Sequence, residues 1–360
     1  MNVFPTKVMV KGREISPRAP VYFIADIAAN HDGSLQRAVD LIHLAKQAGA
    51  HAAKFQHFLA DKIVSDRGFR AIGAQLSHQA KWGRPVYDVY KQYECDRSWT
   101  ETLARTCYAA GVDFLTAPYD FEAVDLIDPF VPAWKIGSGD ITWTGFIAHV
   151  AAKGKPVFLA TGAATLEDTR RAVDAVKQHT SDLVLMQCNT NYTGSADNFK
   201  YVNLRVLETF RREFPGVLLG LSDHTPGHAA VLGAIALGAC AVEKHFTDDN
   251  ARTGPDHPFA MNPATWREMV DRANELHAAL GDGTKRVEEN ERDTVIVQRR
   301  CVRAARDIPA GATLAAGDLT VLRPAAEGSF APYELDRIVG KKIKHALVRG
   351  DAVQRGDVEE

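Results

Sequence analysis

Eight short apolar runs recur along the chain, at residues 21–25, 52–55, 113–116, 133–136, 156–160, 182–187, 217–221 and 239–244, each opening into a polar cluster. They are rich in Val, Ile, Leu and Phe and mostly lack polar alternation, as strands buried on both faces should. Between them lie amphipathic stretches at helical spacing, clearest at residues 35–48, 99–110, 166–178 and 202–210. Gly49, Gly111, Gly154 and Gly238 fall where those helices should stop. Strand and helix alternate, so the sheet should be parallel.

The pattern predicts an α/β fold, a (β/α)8 TIM barrel, whose C-terminal rim collects the polar clusters. An open doubly wound sheet is the rival. It usually carries a glycine-rich turn after its first strand, and Ala25-Asp26-Ile27-Ala28-Ala29-Asn30-His31 is not one. Residues 6–16 read as a small hairpin leading into the barrel. Residues 59–97 form an excursion between the second and third strands, long enough to cover the rim. Residues 1–280 are the expected barrel and 281–298 a charged linker. Residues 299–360, with short strands punctuated by turns, are a small β-rich domain.

Composition narrows the functional classes. Lys plus Arg number 43 against 45 for Asp plus Glu, so no general affinity for nucleic acid or anionic membrane is expected. The five cysteines are odd in number and include no C-x-x-C pair, which points to a reducing compartment. Residues 1–7 lack the apolar core of a signal peptide. The longest apolar run, residues 229–242, falls short of the roughly 20 residues of a membrane helix. A cytoplasmic protein is expected.

Polar residues stand at almost every strand end: Asp26 with Asn30 and His31, Lys54 with Gln56, Thr116, Lys135 with Ser138 and Asp140, Thr161, Asn189 with Thr190, Ser222 with Asp223 and His224, and Lys244 with His245. Lys54 and Lys135 each end a buried strand and need a counter-charge, either a phosphate or carboxylate on a ligand or an internal partner such as Asp26, Asp140 or Glu243. Either lysine is also a candidate Schiff-base nucleophile. His224 and His245 end neighbouring strands and can face one another. They suit a divalent ion such as manganese, iron, cobalt or zinc, the alternative being hydrogen-bonded rim residues. Asp256, in a Gly-Pro-Asp turn, is placed to bind a polyol or simply to shape the turn.

These stations in this order resemble the N-acetylneuraminate (sialic acid) synthase family over nearly the whole chain. The likeness is carried by residues 25–33 (ADIAANHDG), 54–56 (KFQ), 135–140 (KIGSGD), 222–225 (SDHT), 243–247 (EKHFT) and 254–257 (GPDH). The tail, through residues 308–311 (IPAG) and 322–324 (LRP), is similar to the antifreeze-like (SAF) domain of that family. The resemblance implies condensation of phosphoenolpyruvate with an N-acylated amino-sugar aldehyde, giving a nine-carbon 2-keto-3-deoxy acid and phosphate. By similarity Lys54, Thr116, Lys135, Ser138, Thr190 and Ser222 would hold phosphoenolpyruvate, and His224 and His245 a manganese or magnesium ion. Gln56, Tyr192, Asp256 and the Arg323 of a partner in a domain-swapped homodimer would contact the sugar. Asp26 or Asp140 would manage the proton or the attacking water.

The chain departs from the family at Asp26, where a glutamate is usual, and at residues 187–193 (QCNTNYT) and 160–163 (ATGA). The changes near Tyr192 leave N-acetylmannosamine and a diacetamido hexose both open as acceptors. Two rivals remain: a lysine Schiff-base aldolase on the same fold, and a non-catalytic carbohydrate-binding protein.

Overall fold

The computed structural model describes residues 4–359, in two compact units that divide at Gly281. The first opens with an antiparallel hairpin, β1 (Val8–Val10) and β2 (Arg13–Ile15). Eight parallel strands follow: β3 (Tyr22–Asp26), β4 (Ala52–His57), β5 (Asp113–Pro118), β6 (Trp134–Ile136), β7 (Val157–Ala160), β8 (Leu183–Cys188), β9 (Leu218–Asp223) and β10 (Ala239–His245). Their hydrogen-bonded order is β5-β4-β3-β10-β9-β8-β7-β6. Strands β5 and β6 run side by side without a ladder, so the barrel is nearly closed.

Alternation along each strand sorts the side chains into two layers. Tyr22, Ile24, Ala52, Leu115, Ala133, Phe158, Val184, Met186, Leu218 and Ala241 fill the barrel interior, and Val8, Val10 and Ile15 of the hairpin pack with them. Phe23, Phe55, Phe114, Trp134, Leu159, Leu185, Leu221 and Val242 face outward into the layer shared with the helices. The hairpin therefore fills the N-terminal end of the barrel, and the polar residues are left for the other end.

Helices Leu35–Gln47, Thr100–Ala110 and Leu166–Lys177 stand within two residues of the predicted bounds. The first is capped by Ser34, and the third by a Thr165/Asp168 box that satisfies the exposed amides of its first turn. The helix expected at 202–210 instead spans Val206–Glu213. Its apparent start is a turn in which Asn203 has φ 48° and the Val202 carbonyl accepts from Gln187 Nε2 at 2.9 Å.

The second unit pairs β11 (Cys301–Ala304) with β12 (Leu319–Leu322) antiparallel. Its core is Val302, Ile308, Leu314, Ile338, Ile343, Val353 and their neighbours. Within the stretch expected as linker, Arg292–Gln298 forms a helix with no buried residue, so burial periodicity gave no sign of it. Among the described residues no helix is long and apolar enough to cross a membrane. All five cysteines are free and buried.

Candidate active site

Inward-facing residues at the C-terminal ends of β3, β4, β6, β9 and β10 meet in one buried charge cluster. Lys54 Nζ lies 2.7 Å from Asp26 Oδ2 and 3.1 Å from Glu243 Oε1. Lys135 Nζ approaches the same Glu243 oxygen at 3.3 Å, and Ser222 Oγ donates to it, also at 3.3 Å. Asp26 Oδ1 accepts from the Ala28 amide at 3.1 Å, and Asp26 Oδ2 from Gln56 Nε2 at 3.3 Å. Burial alone would push Lys54 down, but Asp26 and Glu243 hold it up at about 12. Lys135, with only part of one carboxylate, is lowered by burial. The internal partners foreseen for the lysines are Asp26 and Glu243, while Asp140 lies elsewhere.

Beside this cluster Ser138, Thr190 and Cys188 crowd around Gly162. The Gly162 amide donates to Ser138 Oγ at 2.9 Å. A Cβ on Gly162 would come within 2.4 Å of Thr190 Cγ2 and 2.9 Å of Ser138 Oγ, so only glycine fits there. Two lysines and several hydroxyls thus gather beside a backbone turn, a donor set suited to a compact anion.

Thr116 does not join it, and its expected ligand role is corrected. Its Oγ1 lies 2.7 Å from His57 Nδ1 and donates to the Phe55 carbonyl at 3.0 Å, while His57 Nε2 reaches Thr100 on a surrounding helix at 3.0 Å. The inward position next to it belongs to Ala117. Thr161, bonded to the Met186 carbonyl, also serves the barrel wall. So does Lys244, paired with Asp223 at 2.5 Å and with the Thr225 carbonyl at 2.6 Å.

Above the charge cluster opens a cavity of about 400 Å³ lined by Gln56, Ser138, Asp140, Tyr192, His245 and Asp256. Its remaining wall is aromatic and apolar, and much of it comes from the excursion after β4: Phe58, Ile63, His78, Trp82, Val89, Tyr90 and Tyr93, with Tyr119 from beyond β5. Phe58 meets Tyr90 edge to face at 5.3 Å and Tyr119 at 5.9 Å. The residues between 59 and 97 offered no single period, since the short helix Ala60–Ile63 contributes one side chain to the wall, Val86–Gln92 two, and Asp66–Ile72 between them none. Burial raises Asp140 to about 6 and Asp256 to about 7, so both carboxyls titrate close to neutral pH. Among the described residues Asp140 Oδ2 has no hydrogen-bond partner.

His224 and His245 stand with ring centroids 5.4 Å apart. The rings of Tyr192 and Phe259 pack on them, at 4.3 Å from His224 and 4.9 Å from His245 respectively. His224 Nδ1 lies 2.8 Å from the Asn189 carbonyl, which only accepts, so Nδ1 carries the proton and Nε2 a lone pair. His245 Nδ1 is buried, 3.7 Å from Asp256 Oδ2, with no hydrogen-bond partner among the described residues. Burial holds both imidazoles neutral, with pKa values pulled down to about 3. Two neutral rings, one with its tautomer fixed by a backbone carbonyl and one with an orphaned nitrogen, fit a divalent ion. Among the described residues no third His, Cys, Asp or Glu completes a protein-only cage.

Glu243, which both lysines share, is visible in the sequence as a possible counter-charge and as part of the 243–247 motif, without a site role of its own. The signal for a larger part was its place two residues before His245, on the same face of β10. Arg323 belongs to the second unit, where it is exposed and its Nε donates to the Gln298 carbonyl at 2.6 Å.

Comparison with known proteins decides the family. The NeuB family model matches residues 41–285, and the SAF domain model matches residues 299–359. The chain belongs to the NeuB family. It is 34% identical over 335 residues to N,N'-diacetyllegionaminic acid synthase of Legionella pneumophila, covering 91% of this chain and 92% of that one. To the synthase of the same name from Campylobacter jejuni it is 32% identical, over 89% of this chain and 96% of that one. The crystal structure of an N-acetylneuraminic acid synthetase from Leptospira borgpetersenii shares the fold, with a TM-score of 0.71 at 24% identity over 82% of this chain and 97% of that one. This NeuB-family chain is an enzyme, a transferase that forms a carbon–carbon bond.

Proposed function

We propose that the protein condenses phosphoenolpyruvate with an N-acylated amino-sugar aldehyde, giving a nine-carbon 2-keto-3-deoxy acid and phosphate. The observation that carries this reading is the convergence of Lys54 and Lys135 on Glu243, next to a cavity whose wall is largely aromatic. A small anion and a larger uncharged partner would sit one above the other. The diacetamido hexose is the favoured acceptor over N-acetylmannosamine, on the names of the Legionella and Campylobacter relatives.

In this reading Lys54, Lys135, Ser138, Thr190 and Ser222 bind the phosphate and carboxylate of phosphoenolpyruvate. Gln56, Tyr192 and Asp256 orient the sugar so that its aldehyde carbon faces the enol carbon. A divalent ion, manganese or magnesium, held by His224 and His245 would supply Lewis-acid polarisation of the aldehyde oxygen. Asp26 and Asp140 are the proton-handling candidates. Asp26 is tied to Lys54 and Gln56, whereas Asp140 has a free oxygen and a pKa raised to about 6, so Asp140 is the better placed to take up and release a proton near neutrality.

A Schiff-base aldolase is disfavoured at Lys54, because an amine nucleophile must be neutral and two carboxylates hold Lys54 charged, whereas burial lowers Lys135, so Lys135 is the lysine at which borohydride trapping with pyruvate tests that rival. The proposed assembly is a cytoplasmic homodimer in which Arg323 of each tail reaches the sugar bound by the partner. The function is tested by phosphate release from phosphoenolpyruvate across a panel of acetamido-hexoses. Release with an acetamido-hexose and none without one supports it, and no release with any member contradicts it.

A further inference from the structure

The loops that follow β3 and β10 leave neighbouring strands, and a set of charges unused by the proposed chemistry ties them together. Asp32, in left-handed backbone at φ 51°, places Oδ1 2.9 Å from His257 Nε2. Its Oδ2 accepts from Arg252 Nε at 3.2 Å and lies 3.0 Å from Arg37 Nε. His257 is fully buried, and its other ring nitrogen, Nδ1, lies 2.7 Å from Thr247 Oγ1. Both nitrogens of this ring are therefore engaged inside the protein. Gly254 packs so tightly on the same ring that a Cβ there would meet His257 Cδ2 at 2.6 Å.

Between Gly254 and His257 the turn carries Asp256. Its Oδ2 accepts from the Ala29 amide at 3.2 Å and faces His245 across 3.7 Å. Asp256 lines the cavity, whereas Asp32 and His257 do not. Arg37, which braces Asp32 from the helix behind, is itself fixed by Asp248 at 2.5 Å and by the Asn30 carbonyl at 2.7 Å. Ion pairs and a buried ring thus over-determine the turn on the side away from the cavity.

We propose that Asp32 is a positioning residue for the acceptor end of the site. By holding His257 and Arg252 it fixes the turn at residues 254–257, so that the Asp256 carboxyl points into the cavity beside His245. Removing the Asp32 carboxylate lets the turn move and costs affinity for the sugar, while the phosphoenolpyruvate end, built on β4, β6, β8 and β9, is untouched. The kinetic part of this inference rests on the proposed function.

The test uses Asp32→Ala and the milder Asp32→Asn, which keeps an acceptor for His257 Nε2, in the full chain. In phosphate-release kinetics Asp32→Ala should raise KM for the acetamido-hexose about tenfold or more and leave KM for phosphoenolpyruvate within about twofold, with Asp32→Asn between it and the parent. Equal changes in both KM values, or none, would overturn the assignment. Hydrogen exchange gives a readout that does not depend on the reaction. Amides of residues 249–260 should exchange about tenfold faster in Asp32→Ala while the barrel strands keep their protection, and unchanged exchange there would overturn the assignment. A parent protein that releases no phosphate but whose Asp32→Ala variant loosens this turn would contradict the proposed function and leave the latch standing.

Discussion

Lys54 and Asp26 are register partners on adjacent parallel strands, and their side chains meet at 2.7 Å with almost no exposure to water. Glu243 closes the group from the other side of β3, so one ammonium serves two buried carboxylates. Replacing Lys54 by Met would leave both carboxylates without their shared partner. Such a loss costs about 3–5 kcal/mol when a buried pair is broken. Urea unfolding of Lys54→Met at neutral pH should show that loss, and calorimetry should show phosphoenolpyruvate binding weakened by a few kcal/mol. A loss of stability below about 1 kcal/mol would mean that the cluster is open to water.

The two rim histidines give a second prediction. His224→Ala and His245→Ala should each abolish turnover while leaving the unfolding midpoint close to the parent's, and exhaustive chelation should do the same reversibly. Full activity after chelation would remove the metal from the proposal.

Asp140 makes a pH prediction with a definite sign. Its carboxyl titrates at about 6 in the folded protein against 3.8 for the free side chain, because burial disfavours its charge. Between those values the folded state binds more protons than the unfolded one, so this group destabilises the protein increasingly as pH rises through the window. Asp140→Asn does not titrate. Its stability relative to the parent should therefore climb between pH 4 and pH 6, by up to about 3 kcal/mol, and stay constant above. A difference that does not change with pH would show that Asp140 is solvated in the folded protein.

The proposed exchange of tails between chains predicts complementation. Chains carrying His224→Ala and chains carrying Arg323→Ala should each be inactive. Mixed dimers restore one intact site, so full subunit exchange should recover about a quarter of parental activity. No recovery after verified exchange would mean that each tail serves its own barrel.

The barrel was legible in the sequence because its strands are buried on both faces and therefore read as uninterrupted apolar runs. The same property hid which face each residue takes. Thr116 and Ala117 look equivalent in a continuous apolar stretch, yet the inward position is Ala117 and the hydroxyl turns to His57. Lys244 stands between Glu243 and His245 and faces the opposite way, toward Asp223. The aromatic wall was invisible for another reason: Phe58, Trp82 and Tyr90 come together only through tertiary packing of several short segments. Asp32 and His257, 225 residues apart, are paired by the adjacency of β3 and β10, which an eight-stranded barrel supplies and local sequence does not.

Whether the charge cluster holds phosphoenolpyruvate for carbon–carbon bond formation without a covalent lysine is tested most directly by incubating the protein with phosphoenolpyruvate, a divalent metal and a diacetamido hexose, and following phosphate together with the mass of the sugar product. The account predicts phosphate and a nine-carbon keto acid appearing in equal amounts, with no borohydride-stable pyruvyl adduct on Lys54 or Lys135. Phosphate without a lengthened sugar, or a trapped adduct on either lysine, would contradict it.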